Sequence, residues 1–200
     1  MNINTKNYWK NLYYSDIELP ETHSSFANFV YSYLPEKQTL VDIGCGNGRD
    51  TAFFEKKYDR VYGYDFVSNP NYLGDKSHLV IEDVEDFDVA YAQIYYMRFF
   101  AHAIDEDLFD GLLEKLSFSK NSTICIETRS SKEYTDKPKL ITNFDSGVGS
   151  PHYRILYSKD YLEKKVSQSF KIDYIVEDKD LSPYLNDNPY IIRIIASTTE

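Results

Sequence analysis

Cysteine is nearly missing from the 200-residue chain: Cys45 and Cys125 are the only two, which excludes a disulfide framework and a zinc cluster. Long apolar runs are missing as well, since none approaches the ~18 residues that a membrane-spanning helix needs. The opening Met1-Asn2-Ile3-Asn4-Thr5-Lys6-Asn7 lacks the apolar stretch of a secretory signal. The expectation is a cytoplasmic protein with no membrane partner. Positive charge is short: Lys plus Arg is 22 against 32 for Asp plus Glu, a net charge of −10. Such a chain repels a phosphate backbone overall, so nucleic acid is not an expected partner. Only six basic residues are arginine, Arg49, Arg60, Arg98, Arg129, Arg154 and Arg193, and their scarcity makes their placement informative. Glycine is scarce too, at eight, yet Gly44, Gly46 and Gly48 stand within five positions.

What the chain does have is enough apolar matter for a core. It is 42% hydrophobic and 16% aromatic, with 19 Tyr and 12 Phe, which rules out a disordered tail or a fibre. Its length fits one domain, residues 1–200, with residues 1–35 as an amino-terminal arm or helix. Phe26, Phe29, Val30, Tyr33 and Leu34 recur at helical spacing behind the cap candidates Ser24 and Ser25. Strands are expected at Thr39–Ile43, Arg60–Asp65, Leu79–Ile81, Val89–Tyr95 and Thr123–Glu127. Helices are expected at about Arg49–Tyr58, at Met97–Ile104, and from Asp105 onward, where Leu108, Phe109, Leu112, Leu113 and Leu116 form one apolar face. Thr128–Tyr157, with Gly147, Gly149 and Pro151, is too long for a plain connector. Ser158 caps a helix to about Ser167, and Ile172–Glu177 and Tyr190–Ala196 close the chain as strands. Strands alternating with helices predict a parallel α/β sheet covered on both faces, the last two strands pairing as an antiparallel hairpin at one side.

The glycine cluster joins the first strand to a helix. Glycine there lets backbone approach a ligand closely, and the helix start offers unpaired N–H groups, so a nucleotide-type cofactor is the natural tenant. A dinucleotide fingerprint needs a sixth-position glycine, where this chain has Arg49. Asp42, at the strand end, would repel a pyrophosphate but favour a cation. A nicotinamide-dependent oxidoreductase is therefore the weaker alternative. Asp65 closes the second strand 21 positions after Gly44, where a carboxylate can accept from both hydroxyls of a ribose. Glu82-Asp83-Val84 close the third, within reach of an adenine amino group. A phosphate-free nucleoside cation, S-adenosylmethionine, satisfies all three positions.

Val41-Asp42-Ile43-Gly44-Cys45-Gly46-Asn47-Gly48, Tyr64-Asp65 and Glu82-Asp83-Val84 resemble the first three cofactor motifs of class I S-adenosylmethionine-dependent methyltransferases. The resemblance implies a Rossmann-like three-layer sandwich: a seven-stranded, mostly parallel sheet with an antiparallel last strand. It implies that Asp42, Gly44, Cys45, Gly46 and Asn47 surround the methionine part. Asp65 would hold the ribose, Phe66 would lie against the adenine, and Asp83 with Val84 would read its edge. The product would be S-adenosylhomocysteine.

The acceptor pocket is expected at the carboxyl ends of the fourth and fifth strands. Arg98, His102 and Arg129 fall there, and Ser150-Pro151-His152-Tyr153-Arg154 adds to them. Arg129, His152 and Arg154 form a candidate anion clamp, because arginines suit a planar carboxylate or phosphate. His102 is a candidate base or orienting group. Arg98–Ile104 with His152-Tyr153-Arg154 resembles a bacterial branch of the family that modifies surface polysaccharides or phosphorylated small molecules. Together these imply a small anionic or sugar-like acceptor methylated at oxygen. No compact His/carboxylate spacing points to a metal. Tyr8, Trp9, Ser25 and Phe26 are candidates for a lid across the cofactor. A chain that binds the cofactor without turnover is the non-enzymatic alternative.

Overall fold

The structure, a computed structural model, describes residues 3–35, 38–88, 92–144 and 151–198. Five strands run parallel: β1 (Thr39–Ile43), β2 (Arg60–Asp65), β3 (Leu79–Ile81), β4 (Ile94–Arg98) and β5 (Thr123–Arg129). A hairpin, β6 (Lys139–Phe144) with β7 (His152–Tyr157), forms a separate two-stranded sheet. β8 (Phe170–Asp178) and β9 (Ile191–Thr198) complete the main sheet in the order β3-β2-β1-β4-β5-β9-β8. The last strand of the chain, β9, is antiparallel to both neighbours and lies between them. The helices are α1 (Ile3–Tyr13), α2 (Ser25–Tyr33), α3 (Arg49–Phe54), α4 (Glu106–Ser117) and α5 (Lys159–Val166).

Strand side chains alternate between faces, and the two cores follow that alternation. Tyr95 and Met97 of β4 join Val41, Ile43, Ile124 and Ile126 beneath Phe109, Leu112, Leu113 and Leu116 of α4 and Leu162 and Val166 of α5. Ile94 and Tyr96 point the other way, with Leu40, Val61 and Cys125, onto Phe26, Ala27 and Val30 of α2 and Phe54 of α3. This is the expected three-layer Rossmann-like sandwich. Each fully buried Leu, Ile or Phe contributes about 1.5–3 kcal/mol of transfer free energy.

Side chains fix the helix starts. Ser24 Oγ accepts from the Ala27 amide (3.0 Å) and Ser158 Oγ from the Tyr161 amide (3.3 Å). α4 opens with Glu106 and Asp107, which complement the helix dipole.

The fourth strand differs from expectation. It starts at Ile94, runs through Met97 and Arg98, and leaves only turns where Met97–Ile104 predicts a helix. Ile94, Tyr95, Tyr96 and Met97 are all fully buried, and a strand covered on both faces has no alternation by which to tell it from a buried helix. Val89, Ala90 and Tyr91, placed in that strand by the sequence, lie outside the described residues, as do Gly147, Gly149 and Ser150. The long polar stretch holds the β6–β7 hairpin. Its Ile155 amide donates to the His102 carbonyl (2.9 Å) and the Ser131 amide to the Tyr157 carbonyl (2.9 Å), so β7 stands beside the carboxyl ends of β4 and β5.

Candidate functional site

Sheet order reverses between β1 and β4, which leaves a crevice at the carboxyl ends of the strands. The glycine loop lies there. Gly44 and Gly48 have φ of +74° and +72°; a Cβ would lie 2.5 Å from the Phe100 ring at Gly44 and 2.3 Å from the Tyr72 ring at Gly48. Neither position accepts a side chain. The Gly44 and Cys45 amides donate to the Tyr64 carbonyl (2.7 and 3.0 Å), tying the loop to β2.

Asp65, at the end of β2, is buried yet well supplied with donors. Its carboxylate accepts from the Gly46 amide (2.9 Å), the Val67 amide (3.2 Å) and the Tyr13 hydroxyl (3.4 Å). Burial pushes its pKa up to about 6, and those donors work against burial. Asp42 is placed differently from its expected role. It packs behind the loop, where its carboxylate accepts from the Thr51 hydroxyl (2.7 Å). Burial first, and the neighbouring Asp50 second, push its pKa up to about 8. It holds α3 against β1 and does not line the crevice.

The crevice is a cavity of about 530 Å³ that reaches from Glu82, Asp83 and Val84 beyond β3 to Arg129 and Arg154. Its wall is acidic near β2 and β3, with Asp65, Glu82 and Asp83. Toward β4, β5 and β7 it is basic, with Arg98, Arg129 and Arg154, and Arg49 stands beside the loop. Trp9, Leu12 and Tyr13 of α1 close one side. Lys6 pairs with Asp83, and Tyr8 stacks on His152 at 3.8 Å between ring centroids, so α1 is pinned at both ends of the cavity.

Behind the basic wall lies a buried ion network. Glu127 accepts from Arg98 (3.1 Å) and Arg193 (2.7 Å). Asp50 accepts from the Ser24 amide (2.7 Å), the Ser24 hydroxyl (2.8 Å) and the Tyr96 hydroxyl (2.7 Å). Phe99, directly after β4, has φ +55° and stacks on His102. Such a conformation is uncommon for a non-glycine residue and persists only where surrounding packing imposes it.

His102 is wholly buried and does not line the cavity. Its Nε2 meets the Arg154 guanidinium. Nδ1 lies 3.2 Å from the Thr128 hydroxyl oxygen. The Arg129 amide donates to Nδ1 (3.3 Å). Burial and the nearby arginines hold the ring's pKa well below its usual value. Arg154, buried and close to Arg129, has its pKa lowered to about 10 by desolvation and by that neighbour.

No family model matches the sequence, and no curated protein does. Solved structures do. The 1,6-didemethyltoxoflavin-N1-methyltransferase of Burkholderia thailandensis, bound to 1,6-didemethyltoxoflavin and S-adenosylhomocysteine, superposes with a TM-score of 0.70 at 17% identity, over 88% of this chain and 77% of that one. A SAM-dependent methyltransferase of Methanosarcina mazei gives 0.66 at 16% identity, over 85% and 96%. A glycopeptide N-methyltransferase complexed with S-adenosyl-L-methionine gives 0.66 at 13% identity, over 89% and 95%. The chain has the class I methyltransferase fold.

Within that fold, Gly44, Cys45, Gly46, Asn47, Asp65, Phe66, Asp83, Val84, Arg129 and Arg154 share one cavity, together with Trp9 and Ser25. Asp42, His102 and His152 stand behind its wall, and Phe26 is core against Tyr96. Tyr13, Arg49 and the loop residues Ser182 to Tyr184 line the cavity without having been expected there. Tyr13 follows Trp9 by four positions, one helical turn on the same face of α1, which is the signal that could have found it. Among the described residues no group of three His, Cys, Asp or Glu could hold a metal ion, and no helix is long and apolar enough to cross a membrane.

Proposed function

We propose that this chain is an S-adenosylmethionine-dependent methyltransferase acting at oxygen on a small acceptor that carries a carboxylate or phosphate. The observation that carries the reading is the polarity of the cavity, acidic at the ends of β2 and β3 and guanidinium-lined beside β5 and β7. Bound S-adenosylmethionine supplies an electrophilic sulfonium methyl and leaves as S-adenosylhomocysteine. Two features fit that group: a glycine loop whose Gly44, Cys45, Gly46 and Asn47 line the cavity, and an Asp65 carboxylate already set by backbone donors.

In this reading Asp65 accepts from the ribose hydroxyls, while Phe66 and Val84 flank the base. Arg49, half-buried beside the loop and anchored to the Thr22 carbonyl (3.0 Å), faces the carboxylate of the methionine part. α1 acts as a lid that keeps water from the reacting atoms. Arg129 and Arg154 orient the acceptor's anionic group, with His102 holding Arg154 from behind. An acceptor oxygen already ionised needs no base, in keeping with a His102 that is buried behind the cavity wall. Phosphorylated small molecules of the surface-polysaccharide branch fall within this class, and 1,6-didemethyltoxoflavin, bound in one structural neighbour, supports a small acceptor.

The test is transfer of label from methyl-tritiated S-adenosylmethionine to a panel of carboxylated, phosphorylated and neutral hydroxy compounds. Label should enter the anionic members. Arg129→Gln and Arg154→Gln should each lower kcat/KM about 10- to 150-fold, the scale of a lost charged hydrogen bond in a buried site, with S-adenosylhomocysteine affinity held within about twofold. Transfer to neutral members alone, or variants with full turnover, would remove the arginines from the acceptor site. Binding without any transfer across the panel favours the non-catalytic alternative.

A further inference from the structure

Arg129, on the cavity wall at the end of β5, already carries an ion pair, with Asp187. Asp187 belongs to the loop between β8 and β9, whose Ser182, Pro183 and Tyr184 line the same cavity. That loop is firmly based. The Leu181 carbonyl accepts from Ser25 Oγ (2.5 Å) and from Arg193 (2.7 Å). Asp180 and Asn188 exchange two hydrogen bonds, of 2.6 and 2.9 Å. The backbones of Tyr184 and Asp187 bond each other twice, both at 2.9 Å. Asp187 therefore stands at a defined point on an anchored loop.

The two partners differ in their freedom. The Arg129 side chain is 9% exposed and that of Asp187 33%. A buried guanidinium stripped of its anion is strongly destabilised, whereas the partly exposed carboxylate of Asp187 regains hydration with a small rotation. Tyr134, which also hydrogen-bonds Arg129, holds the guanidinium's direction through such a change of partner. Arg154, the second guanidinium of this wall, adds positive potential.

We propose that Asp187 is the acceptor-selecting residue of the cavity, seating on Arg129 a carboxylate that the acceptor's own carboxylate replaces. This rests on the reading of the basic wall as the acceptor site. Exchange of one carboxylate for another leaves the buried cation paired throughout. A neutral acceptor has nothing to offer Arg129, so it finds Asp187 in place and that part of the cavity closed. Selection for an anion follows from the pair itself.

Calorimetry on the full chain tests this, with benzoate and inorganic phosphate as probes, each with and without S-adenosylhomocysteine. In Asp187→Asn and Asp187→Ala, benzoate should bind about tenfold more tightly than in wild type, since the competing internal partner no longer reduces the competent fraction. Asp187→Glu should keep wild-type affinity, and Arg129→Gln should lose benzoate in either background. Unchanged or weaker benzoate binding in the Asn and Ala variants overturns the proposal, as does an equal gain in the Glu variant. A gain for phosphate alone overturns the assignment of a carboxylate. Failure of the wild-type chain to bind S-adenosylhomocysteine would sink the methyltransferase reading separately, because the benzoate comparison is made without that ligand as well.

Discussion

A buried carboxylate stays ionised only where donors replace its lost water. Asp65 has two backbone amides and a tyrosine hydroxyl; Asp42 has one threonine hydroxyl and a second acid nearby. The folded pKa of Asp42, about 8, lies above its ordinary 3.8, so the fold binds a proton there that the unfolded chain gives up. Its contribution to stability is therefore full below about pH 4 and is lost as pH rises through about 8. Asp42→Asn, which keeps an acceptor for Thr51, should melt with wild type near pH 4 and above it near pH 8.5; thermal melts across that range check this, and a difference that does not grow with pH contradicts it. The strand-end position of Asp42 was legible in the sequence, but its direction was not. Neighbours on a strand face opposite sides, and it is Ile43 that lines the cavity while Asp42 turns to α3.

Secondary-structure elements were legible where one face is apolar or a cap is present. The α4 stripe, the Ser24 and Ser158 caps and the short buried strands all stand where pattern places them. β4 and the β6–β7 hairpin were not, because one is buried on both faces and the other lies in a mixed polar run. α1 is the element whose stability depends most on the cavity. It is polar and eleven residues long, too short to persist alone. The Tyr8–His152 stack and the Lys6–Asp83 pair hold it, and each is worth about 1 kcal/mol or less. Tyr8→Ala with Lys6→Ala should therefore raise local opening about 5- to 30-fold, seen as faster amide exchange across residues 5–13 with exchange in α4 unchanged. S-adenosylhomocysteine should slow α1 exchange in wild type. Exchange in α1 that responds to neither change would mean that α1 is not a lid.

At the scale of the whole molecule, the sheet order leaves one crevice at its switch point, and the chain spends its scarce residues there. Three of eight glycines shape the loop, and four of six arginines line the cavity of an acidic protein with net charge −10. The cofactor half of this arrangement was readable from three strand ends in sequence order. The acceptor half was not, because it is assembled from β5, β7 and the β8–β9 loop, which only the fold brings together. Isothermal titration of the full chain with S-adenosylmethionine, S-adenosylhomocysteine and NADH decides most directly whether the crevice holds a phosphate-free adenosine compound. Saturable one-to-one binding of the first two is expected, with none of NADH, and Asp65→Ala should weaken it at least about tenfold. Binding of NADH, or affinity for S-adenosylmethionine that survives the loss of Asp65, would contradict it.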